Sequence, residues 1–154
     1  MLFRGLILGL LLKQMGFTRQ GIINACLVQS AIFGLWHLVN LYDVSRNVDS
    51  LSLGVVLPVV SQVFFTAAFA LVAAALFLRS GTLWIPILVH GVGNLIVQTG
   101  TAYTSHQKMM QFIEDPVTMT TPEFLSSTLL PVVLLVAIAW LLLRKPLPVA
   151  NPEG

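Results

Sequence analysis

The sequence predicts an all-α fold, a polytopic transmembrane helical bundle of about four spans plus a partial first helix. Three observations carry this. Of 154 residues, 56% are hydrophobic and 9% charged, too little polar surface to cover a soluble globule of that size. The apolar residues gather in runs near or above the roughly 18 to 20 that cross a hydrocarbon core of about 30 Å. None of the runs has the ten-residue alternation of a membrane barrel, and in lipid every backbone amide must be paired within the chain, so helices are the spanning form.

Five apolar segments follow in order: 2–12, 21–41, 55–78, 83–97 and 124–143. The second, third and fifth are long enough to span alone. The first is short at about 1.5 Å of rise per residue and reads as the surviving part of a longer helix. Its basic and apolar start resembles a signal peptide, but no small-residue cleavage site follows. The fourth is short unless it runs through Gln98 and Thr99 towards Tyr103. Residues 13–20 carry Gly16, and 43–54 carry two aspartates and three serines, as breaks should. Arg79-Ser80-Gly81-Thr82 reads as a tight turn, with Thr82 a candidate N-cap and Pro86 tolerated in the first helical turn. Residues 98–123, polar and holding Pro116 and Pro122, read as the main extramembrane loop. Residues 1–145 form one transmembrane domain, and 146–154 a short disordered tail.

Alternating the segments across the bilayer puts Lys13, Arg19, Arg79, Arg144 and Lys145 on one side and Arg46 and Lys108 on the other. That asymmetry marks the first side, and the C-terminus, as cytoplasmic. Because the basic residues are scattered, all but Arg4 of the eight lying outside the apolar segments, the net charge of +2 gives no nucleic-acid surface; the lipid bilayer is the partner that composition demands. Cys26, the single cysteine, excludes an internal disulfide and reads as a small apolar filler.

Polar side chains inside spanning helices are costly and face a bundle interior or cavity. Here they are Arg4, Asn24, Gln29, His37, Gln62, His90 and Asn94. Asn24, Gln29 and Gln62 read as interhelical hydrogen-bonding groups. Phe33 and His37, and His90 and Asn94, each stand four residues apart, on one helical face. Counting helix rise from the cytoplasmic ends sets His37 at about 24 Å, Asn94 at about 17 Å and His90 at about 11 Å, all within the hydrocarbon. Gly91 and Gly93, flanking positions on a helix where glycine costs about 1 kcal/mol, point to close helix approach as compensation. His106, Asp43, Asp49, Glu114 and Asp115 read as solvated loop groups.

These motifs resemble the CPBP family, the CAAX prenyl endopeptidase and Abi group of intramembrane proteases, over nearly the whole chain. That family has a first motif of two adjacent glutamates, three spacers and an arginine, a second of Phe-x-x-x-His, and a third of His-x-x-x-Asn or Asp. Phe33 and His37 match the second, and His90 and Asn94 the third, with Ser80-Gly-Thr-Leu-Trp-Ile-Pro-Ile-Leu-Val-His90 similar to the family's own helix. Arg4 matches the end of the first motif, whose two glutamates would fall immediately before Met1. Either a longer reading frame supplies them or the chain is a truncated relative; the shortness of the first helix favours the longer frame.

The resemblance implies an intramembrane endopeptidase acting on a membrane-associated or prenylated peptide, in a prokaryotic plasma membrane. It implies a glutamate that activates water, with His37, His90 and Asn94 assisting and Arg4 positioning the carboxylates. Zinc is a candidate cofactor on His37 and His90, although a catalytic zinc has three protein ligands and this count is one short; a metal-free mechanism stays open. Without either glutamate, the 154 residues are expected to hydrolyse little. The alternative is a non-catalytic membrane protein, such as a bacteriocin-immunity or interaction protein on the same fold. A transporter fragment is disfavoured, since there is no inverted repeat.

Overall fold

A computed structural model describes residues 2–46, 50–95 and 119–145, with Leu2, Arg4, Asp43 and Val44 described by backbone alone. Every regular element among them is helical. A π-helical turn, Leu2–Ile7, runs into α1 (Leu8–Met15); then come α2 (Arg19–Trp36), α3 (Val39–Ser45), α4 (Leu53–Ser80) and α5 (Trp84–Leu95). After the undescribed stretch, α6 (Thr121–Phe124), a second π-helical turn (Leu125–Leu129) and α7 (Leu130–Leu143) make one continuous rod. The expected loop at 98–123, with His106, lies mostly outside the described residues, as do Asp49, Glu114, Asp115 and the tail from 146.

Three rods are long and apolar enough to cross a membrane: Arg19–Tyr42, Leu53–Ser80 and Thr121–Leu143. Helix α5, at 12 residues, rises only about 18 Å, short of the hydrocarbon thickness. As described, it is therefore a partial span. Helix α4 is the centre, packing on α2 along one flank and on α7 along another, while α1 packs on α2. Leu8, Leu12, Ile22, Ala25, Cys26, Leu71, Ala74, Ala75 and Leu78 close the core, with Ala139 and Leu143 from α7. Most of α7 stays exposed, as befits a rod that is apolar all round and faces lipid.

The ends of the helices follow from local chemistry. Gly81 adopts φ +65° and its N–H bonds to Phe77 O at 2.9 Å, a left-handed cap that glycine takes without a Cβ clash. Thr82 Oγ1 accepts from Trp84 N at 3.3 Å, but the first helical carbonyl is Leu83 O, accepting from Ile87 N at 3.1 Å. The cap therefore falls one residue later than expected, with Pro86 inside the first turn and unable to bond Thr82 O. Pro58, lacking an N–H, leaves the Gly54 carbonyl without its helical donor, and Met119 N supplies one at 2.9 Å. Thr120 and Glu123 form a reciprocal capping box at the start of α6. Arg79 Nε donates to Leu142 O, tying the ends of α4 and α7 together. Lys13, Arg19, Arg79, Arg144 and Lys145 therefore share one end of the bundle, and His37, α3 and Thr120 belong to the other.

Candidate active site

The second expected span is not one straight helix. At His37, N–H groups switch to carbonyls three residues back: His37 N to Gly34 O at 3.0 Å and Leu38 N to Leu35 O at 3.0 Å. This tightened turn ends α2, and the chain restarts as α3. The break makes His37 the C-terminal cap of α2. Its Nδ1 lies 3.0 Å from Phe33 O, and a carbonyl can only accept, so Nδ1 carries the proton. In the neutral ring Nε2 is then the unprotonated nitrogen, the one able to take a proton or bind a metal. Thr66 Oγ1, from α4, stands 3.4 Å from the same Nδ1 while donating to Gln62 O at 2.7 Å. The Phe33 ring sits edge-on to the imidazole at 5.2 Å and is backed by Phe3 at 5.0 Å.

What brings α2 so close to α4 is Gly34. A Cβ there would sit 2.7 Å from Ala67 Cβ and 2.8 Å from Val63 O, closer than any methyl can approach. Gly91 and Gly93, expected to serve such an approach, show none among the described residues: a Cβ on either meets nothing there within 4 Å. Among the described residues the close contact falls one motif earlier, at Gly34.

His90 is half-buried on α5, its Nδ1 withdrawn from solvent and its ring 5.4 Å from that of Phe69 at a tilt of 53°. Thr66 and Phe69 are three residues apart, neighbours on one flank of α4 separated by about 4.5 Å of rise. The two imidazoles therefore stand against adjacent turns of the same helix. Counting straight rods set them at about 24 and 11 Å of depth, whereas their contact residues Thr66 and Phe69 differ by about 4.5 Å of rise along α4. Asn94, exposed, follows His90 one turn on along α5. Arg4 belongs to the first π-helical turn, and its side chain lies outside the description. Its neighbour Phe3 packs on Phe33 and Trp36, and a Cβ at Gly5 would meet Leu83 Cδ1 at 3.8 Å, so its backbone runs between the end of α2 and the start of α5.

Of the other intramembrane polar groups, Gln62 bonds between helices as expected, accepting from Asn40 Nδ2 at 2.7 Å. Asn24 does not: its Oδ1 takes Gln20 Nε2 at 2.9 Å within its own helix, since the side chain points outward. Gln29 is fully buried and has no side-chain hydrogen bond, because the faces it meets are apolar. Thr66, Asn40, Phe69 and Gly34 were not singled out in the sequence. Gln62 and Thr66, four apart and so on one face of a mostly apolar helix, are the signal in the sequence for that flank.

Among the described residues no three His, Cys, Asp or Glu side chains come together. Two imidazoles without a third ligand do not complete a catalytic zinc site, so no step is derived through a metal. A largely apolar cavity of about 250 Å³, lined by Leu27, Ser30, Ala67, Leu71 and Val132 among others, is walled by neither histidine.

The fold defines a membrane helical bundle in which two histidines, on different helices, each stand against α4. A family model, the type II CAAX prenyl endopeptidase Rce1-like family, matches residues 1–96. The chain belongs to that family, and the matched stretch contains Arg4, His37, His90 and Asn94. No curated protein and no solved structure matches the chain.

Proposed function

We propose that this chain carries the histidine and asparagine half of the active site of an intramembrane endopeptidase that hydrolyses prenylated or membrane-associated peptides. What supports the reading is that His37 and His90 each stand against α4, at Thr66 and at Phe69, within a family of CAAX prenyl endopeptidases.

Hydrolysis adds water to the peptide carbonyl, breaks the C–N bond and delivers a proton to the leaving amine. The Nδ1–H of His37, held on the Phe33 carbonyl, points Nε2 away from the backbone, where the protonated ring can donate to the developing oxyanion or the amine. His90 supplies a second imidazole from the other side, and the Asn94 amide a neutral donor one turn away. Activation of the water falls to the glutamate pair that the family's first motif sets four and five residues before its arginine, whose place Arg4 takes. Arg4 would hold those carboxylates. On this reading the 154 residues alone cleave little, the basic end of the bundle is cytoplasmic, and zinc would require a third ligand from outside the described residues.

The test is cleavage of an S-farnesylated peptide ending in Cys-aliphatic-aliphatic-Met by the chain extended with Glu-Glu before Met1, reconstituted in liposomes. Cleavage should fall by at least about 100-fold in His37→Ala and in His90→Ala, the usual scale for a positioned acid or base. No cleavage by the extended chain, or cleavage indifferent to both histidines, overturns the reading in favour of a non-catalytic membrane protein.

A further inference from the structure

One turn from His37, towards the end of the bundle that carries α3, two carboxamides meet. Asn40 follows His37 by three residues, with Asn40 N bonded to His37 O at 3.1 Å; Gln62 precedes Thr66 by four on α4. Their side chains share one hydrogen bond, Asn40 Nδ2 to Gln62 Oε1 at 2.7 Å, and make no other. Gln62 is exposed and Asn40 half-buried. A carboxamide can donate two hydrogen bonds and accept two. Pairing through one of each leaves Gln62 Nε2 as a donor and Asn40 Oδ1 as an acceptor on two amides held together by that bond. Reversing both amides would still leave one donor and one acceptor there.

A donor beside an acceptor is the complement of a peptide group, whose carbonyl accepts and whose N–H donates. A lipid ester lacks the donor and satisfies only half of it, and a prenyl chain, a hydrocarbon, satisfies neither half. Neighbours at helical spacing stand about 5–6 Å apart, and an extended chain advances about 3.3–3.6 Å per residue, so a peptide group held here lies one to two residues from a bond presented to His37.

We propose that the Asn40–Gln62 pair is a substrate-backbone binding point, pairing with the peptide group one or two residues from the scissile bond and setting the register in which the substrate lies. The proposal rests on the endopeptidase reading but concerns binding alone. Asn40 and Gln62 are positioning residues, with no part in the bond-breaking step.

The experiment measures binding, which does not depend on turnover. The 154-residue chain in lipid nanodiscs is titrated with a fluorescent S-farnesylated peptide ending in Cys-aliphatic-aliphatic-Met. Matched depsipeptides replace each of the two amides beyond the scissile bond by an ester, removing the N–H and weakening the carbonyl. One of the two esters should weaken binding about 3- to 10-fold, the scale of a neutral hydrogen bond. Gln62→Leu and Asn40→Leu should weaken the all-amide peptide to the same degree, and the same ester should then cost nothing further. Gln62→Glu keeps the acceptor for Asn40 but removes the outward donor, so it should retain the parent's thermal transition and still lose peptide affinity; a residue that only ties α3 to α4 would not behave so. Affinity unchanged in these variants, an ester penalty that survives in them, or no binding of the peptide by the parent chain overturns the proposal. If binding follows the expected pattern while the glutamate-extended chain cleaves nothing, the binding point stands and the endopeptidase reading falls.

Discussion

Adding one methyl at Gly34 tests how the site is assembled. In Gly34→Ala the new carbon would stand 2.7 Å from Ala67 Cβ, 2.8 Å from Val63 O and 3.3 Å from Ala67 Cα. Two of these are backbone atoms of α4, which cannot rotate aside, so restoring ordinary contact near 3.5–4 Å requires the helices to separate by about 1 Å. Overpacking of this kind costs about 1–3 kcal/mol, against a helix-propensity gain of about 1 kcal/mol for replacing glycine. The net is zero to about 2 kcal/mol of destabilisation. Gly91→Ala is the matched control: the methyl meets nothing described, so only the propensity gain remains, about 1 kcal/mol of stabilisation. The two substitutions, chemically identical, should differ by about 1–3 kcal/mol in denaturant or thermal unfolding in one detergent. Separation should also lengthen the His37 to Thr66 contact, already 3.4 Å, and a misplacement of about 1 Å is enough to cost about 100-fold in a catalysed rate. Equal stabilisation by both alanines would refute the close approach, and with it the account of how α2 delivers His37 to α4.

Two further substitutions probe the polar groups that the site does not use. Gln29→Leu should leave unfolding stability unchanged or raise it by up to about 1–3 kcal/mol, because the amide is buried with no hydrogen bond to lose; a clear loss of stability in the same unfolding assay would show that it has a partner in the membrane. Thr120→Ala removes the hydroxyl that accepts from Glu123 N and should cost about 1 kcal/mol, read as an earlier onset of unfolding and faster amide exchange at residues 121–124; unchanged exchange there would mean the cap does not hold the helix start.

The sequence alone determined that the chain is helical and membrane-bound, because lipid admits only internally bonded backbone and the apolar runs have the length of spans. It also determined which residues could carry chemistry, since a histidine at spanning depth is costly unless it is used, and the spacings Phe33 to His37 and His90 to Asn94 fix a common face. The turn at Arg79 to Thr82 was legible for a local reason, the left-handed preference of Gly81 and the hydroxyl of Thr82. Only the tertiary structure decided the rest. Spacing along one helix says nothing about which neighbour a face meets, so the contacts of His37 with Thr66 and of His90 with Phe69, both on α4, could not be read from either motif. Nor could the glycine that matters. Gly34, Gly91 and Gly93 are alike in sequence, and what separates them is whether another helix lies within a methyl's radius, a property of the packing and of no residue by itself.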